Sequence, residues 1–211
     1  MKSKSKKTAY GVYIVECLRA GDFNDGKVLH QILELMGMVS VYQNAKTIED
    51  FRSFIEDFKT SQFRYLHISC HADKKGLEID GEDFSNEALQ DLLKGGLKNK
   101  RVFMSACQGA NKDLASRLLV DCEAYSLIGT PVDLDFDKSV LFWPSFYHII
   151  NEYDQQKMKR DFLIETLQKC VDMFGVPINY YSKIKNTTTH LRRLKVRRGV
   201  AIDNQKISSR N

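Results

Sequence analysis

The sequence predicts an α/β fold, with a mainly parallel central sheet and helices on both faces. Short apolar runs rich in β-branched and aromatic residues alternate along the chain with segments whose apolar residues recur at helical spacing. This alternation is typical of right-handed βαβ units, which bring the carboxyl ends of the strands to one edge of the sheet. With 211 residues, 43% of them hydrophobic and 28% charged, the chain is long enough for one domain with a substantial core.

The first half of the chain predicts three strands, three helices and a hairpin. Thr47 is a predicted helix N-cap because Glu49 and Asp50 follow it in the first turn. Gly37 and the glycine pair at 95–96 are predicted to end helices. In order, we expect a strand at 10–18, a helix that starts after Asp22 or Asn24 and ends at Gly37, a strand at 39–42, a helix at 48–58, a strand at 64–70, a hairpin at 76–82 and a helix at 85–93.

The second half predicts two more strands and three more helices before the pattern weakens beyond Pro177. The segment at 186–189, Asn-Thr-Thr-Thr, then begins either an added strand or a disordered tail. In order, we expect a strand at 100–106, a helix from 111 or 112 to 121, a strand at 124–129, a helix after an acidic loop to about Tyr153 and a helix at 157–174. The predicted organisation is a basic tail at 1–8, one domain at 9–185 and a basic extension at 186–211.

Charge and cysteine content restrict the cellular setting and the partners. The net charge of +5 is concentrated at 1–7 and 191–198, and such runs could contact nucleic acid, an acidic membrane surface or an acidic partner. No aromatic residues interleave the second run to stack on bases, so we expect a solvated tail and no nucleic-acid partner. Five irregularly spaced cysteines, no secretory leader and no apolar stretch of about 20 residues predict a cytoplasmic protein without a membrane span.

Two predicted strands end in reactive side chains. The strand at 64–70 is followed by His71, and the strand at 100–106 is followed by Cys107. The carboxyl ends of neighbouring parallel strands lie at one edge of the sheet, where α/β proteins bind ligands. A thiol attacks as the thiolate, and an adjacent imidazole can take its proton. Either residue alone is typically structural, but the pair predicts a nucleophile, Cys107, with His71 as its base.

Other readings of these residues have less support. His67 is a rival base, but it lies inside the strand rather than at its end, and Cys70 is expected to point to the opposite face from His71 and join the core. A zinc site of Cys70, His71 and Cys107 lacks any C-x-x-C pair. The glycines at 21 and 26 bracket a segment too short and too acidic to cradle phosphate. The sequence therefore predicts no cofactor.

The residues around both side chains resemble those of caspase-like cysteine peptidases. The segment at 105–109, Ser-Ala-Cys-Gln-Gly, is similar to the caspase pattern Q-A-C-[RQG]-G, and the segment at 66–72 resembles the strand followed by His-Gly of that clan. His71 precedes Cys107 by 36 positions, and this short spacing resembles the bacterial CHAT-type branch more than animal caspases. The resemblance covers about residues 9–150, and it departs from the clan in having Ala72 where glycine is usual.

The resemblance implies a caspase-like three-layer sandwich and a cysteine endopeptidase that cleaves a protein substrate through a Cys-His dyad. It further implies an oxyanion hole made by the backbone N–H groups of Cys107 and Ala72. It also implies a role in bacterial defence or cell death, with a regulatory or sensor protein and a homodimer as further partners. The alternative is an inactive caspase-like interaction module, which Ala72 and the basic tail suggest.

Substrate preference stays open between two interpretations. Arg19 lies in a segment, 18–25, that resembles the caspase segment whose arginine binds an acidic residue before the cut. The same segment resembles the Leu-x-Gly-x-x-Asn-Asp of metacaspases, which cut after Arg or Lys. Asp133, Asp135 and Asp137 follow the fifth strand, and in an extended segment they would share one face and create a negative potential. We favour the basic residue, although an ordinary polar loop would also account for both segments.

Overall fold

The computed structural model describes residues 9–154, 157–184 and 190–208. In chain order its elements are β1 (Ala9–Cys17), α1 (Asp25–Leu35), β2 (Ser40–Asn44), α2 (Ile48–Thr60), β3 (Phe63–Ala72), β4 (Gly76–Ile79), β5 (Glu82–Ser85), α3 (Asn86–Leu93), β6 (Arg101–Ser105), α4 (Lys112–Ser116) with a π-helical turn (Arg117–Asp121), β7 (Ser126–Gly129), α5 (Phe136–Tyr153), α6 (Arg160–Phe174), β8 (Ile178–Lys183), β9 (His190–Arg197) and β10 (Val200–Ser208).

The strands form one sheet in the order β10-β9-β8-β7-β6-β3-β1-β2. The five strands from β7 to β2 in this order are parallel, and β8, β9 and β10 extend the sheet in antiparallel fashion. A hairpin of β4 and β5 pairs with the end of β3. The α/β prediction with a parallel sheet at its centre is confirmed. The antiparallel strands come from the chain beyond Pro177, where the sequence pattern was weak.

Helices cover the sheet on both faces and enclose two cores. One core includes Phe51, Phe58 and Leu89 from α2 and α3, and the other includes Trp143 and Leu167 from α5 and α6. The apolar spacing of these helices places their buried residues on the face that meets the sheet, which is the physical basis of the layered fold. In the described part of the chain, no helix is both long and apolar enough to cross a bilayer.

The basic C-terminal run is part of the sheet. Leu191, Leu194 and Val196 of β9 are buried between the basic residues of the same strand. Leu191 packs in the core that contains Phe51, and Leu194 and Val196 pack in the core that contains Trp143, on the opposite face of the sheet. Residues 190–208 of the predicted extension therefore form β9 and β10 rather than a solvated tail. The expected boundary at 185/186 and the expected tail at 1–8 lie outside the described residues.

Strand β3 is longer than the sequence pattern predicts. It continues past Cys70 because His71 pairs with Glu78 and Ala72 pairs with Leu77 of β4. The predicted cap is present, since Thr47 Oγ1 accepts a hydrogen bond from the Asp50 N–H at 3.0 Å. The hairpin thus holds the end of β3, and with it His71, through the pairing with β4.

His67 lies in the second core and links stability to pH. It is 1% exposed, its Nδ1 lies 3.2 Å from the Tyr147 hydroxyl and its ring meets Trp143 edge-on at 5.1 Å. Burial lowers the pKa of His67 to about 3 from a usual 6.5. Between these values the unfolded chain binds more protons than the folded chain, so stability falls as pH falls. From about pH 7.5 to about pH 5 we expect His67 to account for a loss of about 2 kcal/mol.

The measurement is urea unfolding at both pH values for the wild type and for His67→Phe, which keeps an aromatic ring and removes the titration. The variant should lose about 2 kcal/mol less than the wild type on acidification, whatever its absolute stability. His148→Gln, at an exposed position, serves as control and should keep the wild-type pH dependence. Equal pH dependence in His67→Phe and wild type would show that His67 is not the responsible group.

Candidate active site

Cys107 lies in a tight turn directly after β6. The turn is closed by the Gly109 N–H, which donates to the Ala106 carbonyl at 3.2 Å, and Gln108 takes a positive φ of 53°, a conformation that an L-residue adopts only when its surroundings impose it. The Leu134 N–H donates to Cys107 Sγ at 3.3 Å. Cys107 is partly exposed, whereas the other four cysteines are buried. The turn therefore presents one thiol to solvent.

His71 is held by the carboxylate of Asp22, a residue that the sequence predicted only as a possible start of the first helix. His71 Nε2 lies 2.8 Å from Asp22 Oδ2, and the same oxygen accepts the Arg19 backbone N–H at 3.0 Å. The hydrogen bond from His71 is the main cause that lowers the pKa of Asp22. A carboxylate is only an acceptor, so the neutral imidazole carries its proton on Nε2 and leaves Nδ1 unprotonated.

The structure brings His71 and Cys107 to one cavity of about 260 Å³. Phe136, the first residue of α5, also lines it and meets the His71 ring edge-on with the ring centroids 5.9 Å apart. These contacts fix the imidazole between a carboxylate and an aromatic ring. The sequence expectation that the two strand ends deliver both side chains to one place agrees with this arrangement.

The backbone N–H groups of Cys107 and Ala72 are the two donors that the sequence resemblance implies for an oxyanion hole. Among the described residues, the Cys107 N–H donates to no backbone carbonyl. The Asp73 N–H donates to the Gly76 carbonyl at 3.0 Å, and hydrogen-bonded pairs alternate along an antiparallel ladder, so the Ala72–Leu77 pair is a non-hydrogen-bonded pair. The Ala72 N–H therefore points away from β4. Both amides can donate to a developing negative charge.

A buried carboxylate, Asp25, forms the floor of the cavity. Asp25 is 5% exposed and accepts hydrogen bonds from three hydroxyls: Ser69, Ser105 at 3.0 Å and Ser139 at 2.5 Å. No Lys, Arg or His of the described residues forms an ion pair with it. A carboxylate has about four acceptor sites, so neutral donors alone leave Asp25 able to take one more hydrogen bond.

Glu16, at the end of β1, positions Asp25 by holding the start of α1. Its Oε1 accepts the Gly26 N–H at 2.7 Å and its Oε2 accepts the Tyr42 hydroxyl at 2.5 Å. A Cβ on Gly26 would lie 3.0 Å from Glu16 Oε1, so this close approach favours glycine. Burial raises the pKa of Glu16, and the two donors oppose that change.

Arg19 does not line the cavity that contains Cys107. Its guanidinium forms a bidentate ion pair with Glu78 of β4, and the hydrogen bond from Arg19 is the main cause that lowers the pKa of Glu78. Arg19 lines a neighbouring groove instead. The interpretation in which Arg19 binds an acidic substrate residue beside Cys107 is therefore disfavoured, because its charge is already paired.

Asp133, Asp135 and Asp137, which follow β7, do not share one extended face. Asp135 lines the cavity and pairs with Lys138 at 2.9 Å. Asp133 accepts from Gln108 Nε2 at 2.9 Å, and Asp137 lies in the first turn of α5, which begins at Phe136. The helix starts too early for the extended geometry on which the shared face depended. Of the three, Asp135 alone belongs to the cavity.

The remaining candidates are structural. His67 is enclosed among aromatic residues, and Cys70 is buried in the first core. A hydrogen bond with Cys17, together with burial, raises the pKa of Cys70 and keeps it a thiol. Within the described ranges no group of three or more His, Cys, Asp and Glu side chains is arranged to hold a metal ion.

Sequence reasoning missed Asp22, Asp25 and the serines that surround Asp25. One signal for the serines was present: Ser69 and Ser105 each stand two positions before His71 and Cys107, and the register pairs them with one another. Strand alternation then puts both hydroxyls on one face. Asp25 lay in the Asn-Asp segment quoted for its resemblance to metacaspases, without being assigned a role.

Comparisons with known proteins support the fold. No protein-family model matches the chain, and a search of curated proteins finds no similar sequence. Among solved structures, the chain is similar to a secreted C11 cysteine protease from Bacteroides thetaiotaomicron in complex with an irreversible peptide inhibitor, with a TM-score of 0.53 and 9% identity. That match covers 82% of this chain, which spans 66% of the length of the C11 protease.

The chain is also similar to caspase-1 from Spodoptera frugiperda, with a TM-score of 0.53 and 12% identity. This match covers 94% of the chain and 88% of the caspase. At such low identity the likeness is one of architecture. The finer resemblance to the CHAT-type branch stays a prediction. The chain has a caspase-like fold.

Proposed function

We propose that this protein is a cysteine endopeptidase in which Cys107 is the nucleophile and His71 the general base and acid. The observation that carries the proposal is the cavity shared by Cys107 and His71, with His71 Nε2 tied to Asp22. A nucleophile, a base and a group that orients the base are the parts of an activated thiol. Asp22 is a positioning residue, since it acts through His71.

In the first half of the proposed reaction, Cys107 transfers its proton to His71 Nδ1 and the sulfur attacks the carbonyl carbon of the scissile bond. The oxyanion that forms accepts hydrogen bonds from the N–H groups of Cys107 and Ala72. When it collapses, the C–N bond breaks and the leaving amine takes the proton from His71. A thioester on Cys107 remains.

In the second half, water gives a proton to His71 Nδ1 and attacks the thioester carbon. The C–S bond breaks, the carboxylic product leaves, and the sulfur recovers its proton from His71. Asp22 keeps Nε2 protonated throughout and lies against the imidazolium that forms twice per cycle. Its charge therefore stabilises the charged form of His71 at the two steps that need it.

Asp25 supports a preference for Lys or Arg before the scissile bond. Its carboxylate is buried at the floor of the Cys107 cavity with hydroxyls as its partners. A buried charge without a counter-ion is costly, and a cationic guest offsets that cost. Asp135 adds a second carboxylate on the wall. The preference for a basic residue that the sequence favoured thus rests on Asp25 more than on the three exposed aspartates.

The test is covalent labelling with a peptide that carries lysine next to an acyloxymethyl ketone. We expect Cys107 to be modified rapidly, as located by mass spectrometry of proteolytic fragments. Accessibility alone would also favour Cys107, so the informative comparison is His71→Ala, where loss of the base should slow labelling by more than about 100-fold. Equal labelling rates in His71→Ala and wild type would remove His71 from the mechanism.

Asp22→Asn separates the charge of Asp22 from its hydrogen bond. We expect labelling to slow by roughly tenfold, because the amide can still hold the ring but no longer stabilises the imidazolium. Asp137→Asn is the matched control, as a carboxylate of the same type outside the cavity, and should label at the wild-type rate. Should the two variants behave alike, the charge of Asp22 has no part in stabilising the imidazolium of His71.

The protein substrate, a regulatory or sensor partner, a homodimer and a role in bacterial defence or cell death all rest on the sequence resemblance. All of them depend on the proposed peptidase activity, and none of them assigns a role to a further residue of the site. A chain that binds a partner but in which neither ketone labelling nor cleavage depends on His71 would instead be the inactive interaction module.

A further inference from the structure

A second and larger groove begins at His71. It has a volume of about 800 Å³ and is walled by the β4–β5 hairpin, the first turns of α2 and α3, and the end of β3. His71 lines both this groove and the Cys107 cavity, whereas Ala72 lines the groove alone. Its size lies within the roughly 300–1,000 Å³ of cavities that hold ligands.

We propose that this groove binds the substrate residue that follows the scissile bond, and that it selects a bulky, uncharged apolar side chain there. The inference rests on the proposed peptidase function. In that reaction His71 gives its proton to the leaving amine, so the residue that carries the amine lies beside the imidazole. The acyl residue stays on Cys107 with its side chain at Asp25. The peptide therefore continues past His71 into the groove.

The floor of the groove is apolar. Leu77 of β4 and Phe84 of β5 form it, each 3% exposed, and Ile48 and Ala88 extend it from the first turns of α2 and α3. The Arg52 guanidinium stands 5.1 Å from the centroid of the Phe84 ring. A flat hydrophobic side chain can bury its area against these groups and lie beside the guanidinium plane.

The charges that line the groove balance one another. Arg19 and Glu78 are committed to their mutual ion pair, and the other lining charges also occur in equal numbers of each sign. A groove without net charge gives a charged guest no compensation for the water it loses. The cations are Arg19, Arg52 and Lys75, and the anions are Asp73, Glu78 and Asp83.

The experiment measures kcat/KM on quenched-fluorescent peptides that share lysine before the scissile bond and carry Phe, Gly, Asp or Lys after it. We expect the wild type to prefer Phe over Gly by about tenfold and over Asp or Lys by more. Ala88→Phe fills the groove and should lower the Phe-to-Gly ratio at least about fivefold. Asp91→Phe places the same ring on α3 at an exposed position outside the groove and should keep the wild-type ratio.

A lysyl-aminocoumarin substrate, which has no residue after the scissile bond, separates this proposal from the peptidase function. If the wild type cleaves this substrate and cleaves the Phe, Gly, Asp and Lys peptides equally well, the proposed role of the groove is wrong and the peptidase function stands. Failure to cleave any of the substrates would overturn both. If Ala88→Phe does not fold, Arg52→Ala, at an exposed position, provides the second variant and should also lower the Phe-to-Gly ratio.

Discussion

Cys107→Ala is expected to reduce turnover of a lysine-containing peptide by roughly 10⁴-fold or more, because no other group can form the thioester. The loss should appear in kcat, with peptide binding preserved, since the substitution removes one partly exposed sulfur atom and leaves Asp25 in place. The measurement is cleavage at saturating peptide, with the melting temperature as the check on folding.

Cys170→Ala is the control for Cys107→Ala, because it removes a buried thiol of α6 that packs in the core with Trp143 of α5. It should lose stability, by about 1–2 kcal/mol, and keep its turnover per folded molecule. Cleavage by Cys107→Ala at the wild-type rate, with an unchanged melting temperature, would contradict the assignment of the nucleophile.

Asp25→Asn is expected to lower kcat/KM for peptides with Lys or Arg before the scissile bond by about 100-fold, which corresponds to a loss of about 2.7 kcal/mol. The fold should survive, because serine hydroxyls can accept as well as donate and can therefore satisfy an amide in place of the carboxylate. A peptide with norleucine in place of lysine, similar in length but uncharged, should be cleaved by the variant at least as well as by the wild type.

Asp135→Asn is the matched control, since its carboxylate is 72% exposed and paired with Lys138. Exposed ion pairs contribute little, so kcat/KM should change by no more than about threefold. A large loss of kcat/KM in Asp135→Asn with little change in Asp25→Asn would assign the specificity to Asp135 instead of Asp25. A wild type that prefers Asp or Glu before the cut would contradict a carboxylate-lined site altogether.

The parallel part of the sheet and its helices could be predicted from sequence because their signal is local. The helix at 48–60, for example, is specified by Thr47 as cap and by apolar residues at helical spacing. The C-terminal strands were not predictable in this way, since β9 combines three buried apolar positions with five basic residues. These three positions do not alternate as in a strand with one buried face, because Leu191 lies in one core and Leu194 and Val196 in the other, and both cores form only when β9 pairs with β8 in the sheet.

The sequence was enough to place Cys107 and His71 because each follows a short apolar run, and parallel strands bring their carboxyl ends to one edge of the sheet whatever the details of packing. The groups that surround these two residues depend on contacts between distant segments and could not be predicted in this way. Asp22 and Asp25 belong to the segment after β1, and they reach His71 and Ser105, 49 and 80 positions further along the chain, because β1 lies next to β3 and β3 next to β6. The pairing of Arg19 with Glu78 arises in the same way. The sequence gives the charge of a side chain, but contacts between distant segments determine which group it pairs with.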